Sequence, residues 1–254
     1  MAALHGPLTR GTTPPHVTRK REHIMITLAV FDMAGTTIDD RDEVYRVLRE
    51  ATEREGADYT DEQFQEWMGT EKHWAIENLL RIGGVEVDEN TVERAWSWFR
   101  EELRRTYTEN PPTPLPGVED ALRELRSQGV SVALTTGFSR EITDLILGAL
   151  GWDDGDVVDV SVAGDQVPAG RPEPFMIQRA MSELGVTDPA EVVSTGDTSS
   201  DVVSAQRAGV TSVGVLTGHL TREDFEGLDA DIVLGSAAEL PTHPVLSSAP
   251  VGER

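Results

Sequence analysis

Six short apolar runs, rich in β-branched residues, recur along the chain at 26–31, 130–134, 157–162, 192–194, 212–216 and 231–234. Between the later ones lie amphipathic helical patterns at 118–126, 140–150, 174–184 and 200–208. Short, mainly apolar runs of this kind suit buried strands. Their alternation with helices predicts an α/β fold, a Rossmann-like parallel sheet with helices on both sides. Ligands of such sheets sit beyond the carboxyl ends of the strands, so the residues just after each run are the ones to read for chemistry.

One stretch interrupts the alternation. From 41 to 111 the apolar residues fall at helical spacing: Val44, Val47, Leu48 and Ala51; then Phe64, Trp67 and Met68 with Ile76, Leu79 and Leu80; then Val92, Ala95, Trp96, Phe99 and Leu103. The stretch ends at Asn110-Pro111-Pro112-Thr113-Pro114, a stiff exit. This reads as an all-helical cap domain, 41–111, inserted into a core domain made of 25–40 and 112–254. Its aromatic stripe also reads as plain packing, and Trp67, Met68 and Trp74 either line a pocket or pack the cap. Residues 1–24 read as a disordered N-terminal extension, basic at Arg10, Arg19, Lys20 and Arg21 and lacking the apolar stretch of a signal peptide.

Composition narrows the function. Hydrophobic residues make up 38% of the chain, enough for a buried core. There is no cysteine, which excludes disulfides and thiolate metal sites and suits a cytoplasmic protein. The formal charge of −23 argues against a protein that tracks nucleic-acid phosphates. It also means that an anionic ligand needs a local positive device, such as a divalent cation, an Arg or Lys, or a helix N-terminus. No apolar run approaches the roughly 20 residues needed to span a bilayer, so no membrane partner is expected.

Four polar clusters follow the runs in order: Asp32-Met33-Ala34-Gly35-Thr36-Thr37, Thr135-Thr136-Gly137, Gly170-Arg171-Pro172 and Gly196-Asp197-Thr198-Ser199-Ser200-Asp201. Each alone has an ordinary reading, since an Asp after a strand often just caps the next helix. Together on one sheet edge they make a coherent set. A carboxylate at Asp32 can attack phosphorus. Asp32 and Asp197 offer the hard oxygen ligands that Mg²⁺ prefers, with Asp201 steadying them. The Thr135 hydroxyl and the Arg171 guanidinium can hold phosphoryl oxygens.

From Met25 to about Leu240 the chain resembles the haloacid dehalogenase superfamily, with its four motifs in order and a helical cap after the first. That resemblance implies an aspartyl-phosphate on Asp32, a Mg²⁺ site drawn from Asp32, Ala34, Asp197 and Asp201, and phosphate contacts from Gly35, Thr36, Thr135, Thr136, Gly137 and Arg171. Most phosphatases of the superfamily carry an acid–base Asp two residues after the nucleophile, where this chain has Ala34. Expelling an alkoxide without a proton donor is slow, which points away from ordinary esters.

Ala34, the segment Val167-Pro168-Ala169-Gly170-Arg171-Pro172 and Gly196-Asp197-Thr198 are similar to the phosphonoacetaldehyde hydrolase branch. There a cap lysine forms a Schiff base that turns the leaving group into an enamine. Lys72, in Met68-Gly69-Thr70-Glu71-Lys72, matches the position, with Met68 facing substrate; alone, Lys72 would read as a surface residue. The match departs at Ala75, where the branch has His, and at Phe138, where it has Tyr, and His73 points about 100° away from the Ala75 direction on a helix. The expected activity is therefore hydrolysis of a small phosphonate, with a phosphomonoesterase as the alternative. A metal-free dehalogenase and a non-catalytic phosphate-binding module remain as weaker readings. The resemblance also implies a homodimer through the cap, with Trp96 and Trp98 as contact residues.

Overall fold

The computed structural model describes residues 25–246; the extension expected at 1–24 lies outside them. Strand β1 (Leu28–Asp32) is buried along its whole length and forms the centre of the sheet. A two-residue strand β2 (Ile38–Asp39) follows, then helices α1 (Glu43–Glu53), α2 (Asp61–Gln65), α3 (Lys72–Ile82) and α4 (Glu89–Glu109). The chain returns through β3 (Thr113–Pro114) to α5 (Val118–Ser127), β4 (Ser131–Thr136), α6 (Arg140–Leu150), β5 (Val160–Ala163) and α7 (Phe175–Glu183). It closes with β6 (Val192–Gly196), α8 (Ser199–Ala208), β7 (Thr211–Val215), α9 (Arg222–Gly227) and β8 (Ile232–Leu234). No helix among the described residues is long and apolar enough to cross a membrane.

The main sheet has the order β5-β4-β1-β6-β7-β8, every neighbouring pair parallel. Alternation along β1 divides the core into two layers. Leu28 and Val30 pack with Met176, Ile177 and Ala180 of α7 and with Ala205 of α8. Ala29 and Phe31 belong to the other layer, with Leu122 and Leu125 of α5 and Ile142 and Ile146 of α6. A strand buried on both faces needs apolar side chains at every position, which is why the first run shows no alternation.

The helical cap stands between β2 and β3, which pair antiparallel with Ile38 opposite Pro114 and Asp39 opposite Thr113. Arg41 ties the two connections together, its Nη2 donating to the carbonyls of Asn110 at 2.8 Å and Pro111 at 3.3 Å. The second apolar stripe of the cap proves to be two helices rather than one. Helix α2 ends after five residues, and the turn before α3 needs a left-handed residue, supplied by Gly69 at φ 74°. The strand expected at 157–162 begins later, at Val160, because Val157 and Val158 are buried in the connection and not in the sheet.

Candidate active site

The parallel sheet delivers all four polar clusters to one edge. Asp32 is the last residue of β1 and lies opposite Thr135 of β4 in register. Asp197 and Asp201 follow β6, Asp201 inside the first turn of α8. Its Oδ2 accepts from the Thr198 backbone N at 3.1 Å and from Thr198 Oγ1 at 2.5 Å, a capping box that fixes the carboxylate while it caps the helix. Carboxylate oxygens of Asp32, Asp197 and Asp201 all lie within 4.8 Å of one another, and all three residues are buried.

Arg171 spans this cluster, Nη2 donating to Asp32 Oδ1 and Nη1 to Asp201 Oδ1. Its Nη2 also reaches the Thr135 carbonyl at 3.4 Å, while its Nε is buried with no partner. Thr36 Oγ1 donates to Asp197 Oδ1 at 2.8 Å, so this expected phosphate ligand orients a carboxylate here. Two glycines let the backbone close on Asp197. A Cβ on Gly35, itself at φ 83°, would stand 2.5 Å from Asp197 Oδ2, and one on Gly218 would collide with the same atom. Thr217 Oγ1 joins these loops by donating to the Gly35 carbonyl at 2.5 Å.

Burial raises the Asp32 carboxyl to about 6, with Arg171 opposing and Asp201 reinforcing the rise. Asp197 is pushed well above the carboxylate range by burial and then by Asp32 and Asp201. Three carboxylates thus face one guanidinium, and ionising all three would leave two negative charges beyond what Arg171 offsets. Buried charges persist only when compensated, so the set fits a divalent cation held by hard oxygens. Ala34 offers such a cation only its main-chain carbonyl.

The cap supplies the opposite wall. Glu71 caps α3, accepting from the backbone N of His73 at 2.9 Å and of Trp74 at 2.8 Å, and this puts Lys72 at the first helical position. Lys72 is 4% exposed, so it is no surface residue. Its Nζ donates to the Thr70 carbonyl at 2.8 Å and sits 5.6 Å from the Tyr45 ring centroid. Burial, with Arg171 assisting, lowers its ammonium to about 8. Lys72 shares with Asp32, Ala34, Tyr45, Thr136 and Arg171 a cavity of about 10 Å³, room for no more than about one water.

Glycines also seat the cap loop on the core. A Cβ on Gly137 would lie 2.5 Å from the Thr70 carbonyl oxygen, and one on Gly170 would lie 2.5 Å from Glu71 Cβ. Met68 is half-buried against the core and outside the cavity lining, its carbonyl accepting from Ser200 Oγ at 3.5 Å. Trp67 packs edge-on against Trp74 with centroids 4.9 Å apart. Trp74 is 44% exposed and lines a separate groove of about 710 Å³ with Glu71 and Gly170. His73 turns away to Trp96, as helical geometry requires.

Two features escaped the sequence reading. Tyr45 lines the cavity, although the helical stripe of α1 selects Val44, Val47 and Leu48 and leaves it aside. Asp40 is buried, its Oδ2 accepting from Tyr107 at 2.7 Å and from the Val44 backbone N at 3.0 Å, and burial raises its carboxyl. Nothing local marks either residue, because both contacts are made across the join between cap and core.

A parallel sheet of this order, a helical cap and a carboxylate–arginine cluster define a capped Rossmann-like protein with a candidate catalytic site at the strand ends. The chain belongs to the haloacid dehalogenase-like hydrolases, whose family model matches residues 29–215. A phosphonoacetaldehyde hydrolase of Bacillus cereus is 31% identical over 219 residues, covering 80% of this chain and 82% of that one. A hydrolase from Pseudomonas syringae superposes with a TM-score of 0.76 at 23% identity, over 85% of this chain and 97% of its own. A phosphonoacetaldehyde hydrolase-like protein from Oleispira antarctica gives 0.74 at 24% identity, over 88% and 95%.

Proposed function

We propose that this hydrolase is a Mg²⁺-dependent phosphonatase that cleaves the C–P bond of a small aldehyde phosphonate, phosphonoacetaldehyde being the candidate substrate. The observation that carries the reading is Lys72: a buried amine, lowered to about 8, held by the cap over Asp32 where Ala34 provides no acid. A buried ammonium with one hydrogen bond, to a carbonyl, is poorly held as a structural ion, and the neutral amine it becomes on losing a proton is suited to act as a nucleophile. The 31% identical phosphonoacetaldehyde hydrolase supports the same chemistry.

In this scheme residues 41–111 act as the cap and the remainder from 25 onward as the core. The neutral Lys72 amine adds to the aldehyde and loses water to give an imine. The Asp32 carboxylate attacks phosphorus in line with the C–P bond, and the bonding electrons pass into the protonated imine as an enamine. Arg171, Thr135, Thr136 and Gly137 hold the phosphoryl oxygens. The enamine then takes up a proton at carbon, one water hydrolyses the resulting imine to acetaldehyde and free Lys72, and a second hydrolyses the aspartyl-phosphate to phosphate and Asp32. A Mg²⁺ ion held by Asp32, Asp197 and the Ala34 carbonyl would neutralise the repulsion between nucleophile and phosphoryl oxygens. Seating of the cap over bound substrate would limit the access of water to the imine until the C–P bond has broken.

The test is phosphate release with Mg²⁺ from phosphonoacetaldehyde beside a panel of small phosphate monoesters, with Lys72→Ala run in parallel. Release from the phosphonate that is lost with Lys72→Ala is expected. Release from esters alone, with Lys72→Ala mainly raising KM, would retire the imine and make the enzyme a phosphomonoesterase.

A further inference from the structure

Imine formation demands a donor for the carbonyl oxygen, and few groups in the cavity are free to act as one. Ala34, Val44 and Phe138 contribute apolar wall. Arg171 gives its two terminal nitrogens to Asp32 and Asp201. In the scheme above it and the Thr136 hydroxyl, which accepts from the Phe138 backbone N at 3.2 Å, serve the phosphoryl oxygens, while Lys72 is the attacking amine. Tyr45 adds a hydroxyl to the lining that this scheme leaves unassigned. Its ring is fixed edge-on between Phe64, at 6.4 Å, and His219, at 6.3 Å, with Lys72 Nζ over its face. No hydrogen bond reaches its hydroxyl among the described residues. Tyr45 also lines a second cleft of about 140 Å³ beside Asp197, so it forms the partition between the closed site and the adjoining space.

We propose that the Tyr45 hydroxyl is a catalytic hydrogen-bond donor to the carbonyl oxygen of the organic half of the substrate, selecting carbonyl-bearing phosphorus compounds over plain alkyl esters. The proposal rests on the imine reading above. As the Lys72 nitrogen bonds to the carbonyl carbon, the C=O π electrons move to oxygen, which takes up a proton while the nitrogen releases one. The carbinolamine oxygen then takes a second proton and leaves as water, and the nitrogen lone pair forms the C=N bond. The two protons taken by oxygen are those of the resting Lys72 ammonium, one released before attack and one on bonding, so aldehyde and ammonium give protonated imine and water with no further reactant. Tyr45 stabilises the oxygen through both stages. The phenol stays protonated for this task, because burial and the charges of Asp197, Asp32 and Asp40 hold it well above its ordinary range.

Tyr45→Phe keeps the ring and its packing and removes only the hydroxyl. On the full-length enzyme with Mg²⁺, kcat/KM for phosphonoacetaldehyde should fall about 10²-fold, as for loss of one oxyanion donor. Borohydride trapping of Lys72 with the same aldehyde should slow in parallel. Loss on a carbonyl-free monoester should be much smaller. Trapping and turnover by Tyr45→Phe within threefold of wild type would overturn the proposal, as would an equal loss on both substrates. A wild-type enzyme that is neither trapped nor active on the phosphonate would retire the imine reading itself, and the role of Tyr45 with it.

Discussion

Replacing Lys72 by Met should abolish phosphonate cleavage and at the same time make the protein more stable. The ammonium falls from 10.5 to about 8, chiefly through burial. At 1.36 kcal/mol per unit, the folded state carries ~3 kcal/mol for keeping this charge inside. The group is 4% exposed, so solvent screening removes little of that figure. Met has a similar shape and no charge, and it forfeits one hydrogen bond to the Thr70 carbonyl, worth about 1 kcal/mol. The expected gain at pH 7 is ~2 kcal/mol.

The pH dependence identifies the cause. Below pH 8 lysine is protonated in both folded and unfolded chains, and the folded state bears the whole cost. Between about 8 and 10.5 the folded lysine sheds its proton while the unfolded one keeps it. The unfolded state then binds more protons, so wild-type stability rises with pH relative to the variant. Urea unfolding of both proteins, without added metal, should show a difference largest at pH 7 and declining through pH 8 toward 10.5. A variant less stable than wild type at pH 7, by an amount independent of pH, would show that the ammonium is well compensated and refute the reasoning.

The other predictions concern the remaining parts of the site. Asp32→Asn removes the proposed nucleophile and should bring phosphate release to background while leaving far-UV circular dichroism unchanged. Mg²⁺ at 100 times its dissociation constant should stabilise the wild type by about 2.7 kcal/mol, read as a rise in Tm; Asp197→Asn should lose that rise. Gly137→Ala places a Cβ 2.5 Å from the Thr70 carbonyl oxygen, so the cap cannot seat; kcat/KM should drop about 10²-fold, with the core still folded by calorimetry. Borohydride trapping of wild type should rise through about pH 8 as Lys72 becomes neutral.

What the sequence made legible follows from what is local in the fold. The run at 26–31 and the Asp after it can be read because a strand buried on both faces is apolar throughout, and the first carboxylate marks where it leaves the core. Asp32, Arg171, Asp197 and Asp201 converge because a parallel sheet brings every strand's carboxyl end to one edge, so order alone predicts their neighbourhood. The cap resists such reading. Spacing could not decide between a surface and a buried Lys72, since the answer depends on which face of α3 meets the core. Trp74, beside it on the same helix, is exposed. Position alone also did not show that the Thr36 hydroxyl donates to Asp197. Tyr45 matters only through the packing of α1 over the strand ends.

The division of the site between two units has a chemical consequence. Asp32 and Arg171 belong to the core, whereas Lys72 and Tyr45 belong to cap helices that contact them only across the closed join. Both main causes of the lowered Lys72 amine, burial and the nearby Arg171 charge, exist only while the cap is seated. A lifted cap would return Lys72 to water and to an ordinary ammonium near 10.4, which is almost wholly protonated at neutral pH and a poor nucleophile. The same closure that excludes solvent therefore makes the amine reactive. On the proposed imine route, Lys72 would be competent only in the state that also sets Asp32 opposite the phosphorus, and a free aldehyde meeting an enzyme with its cap lifted would find no reactive lysine.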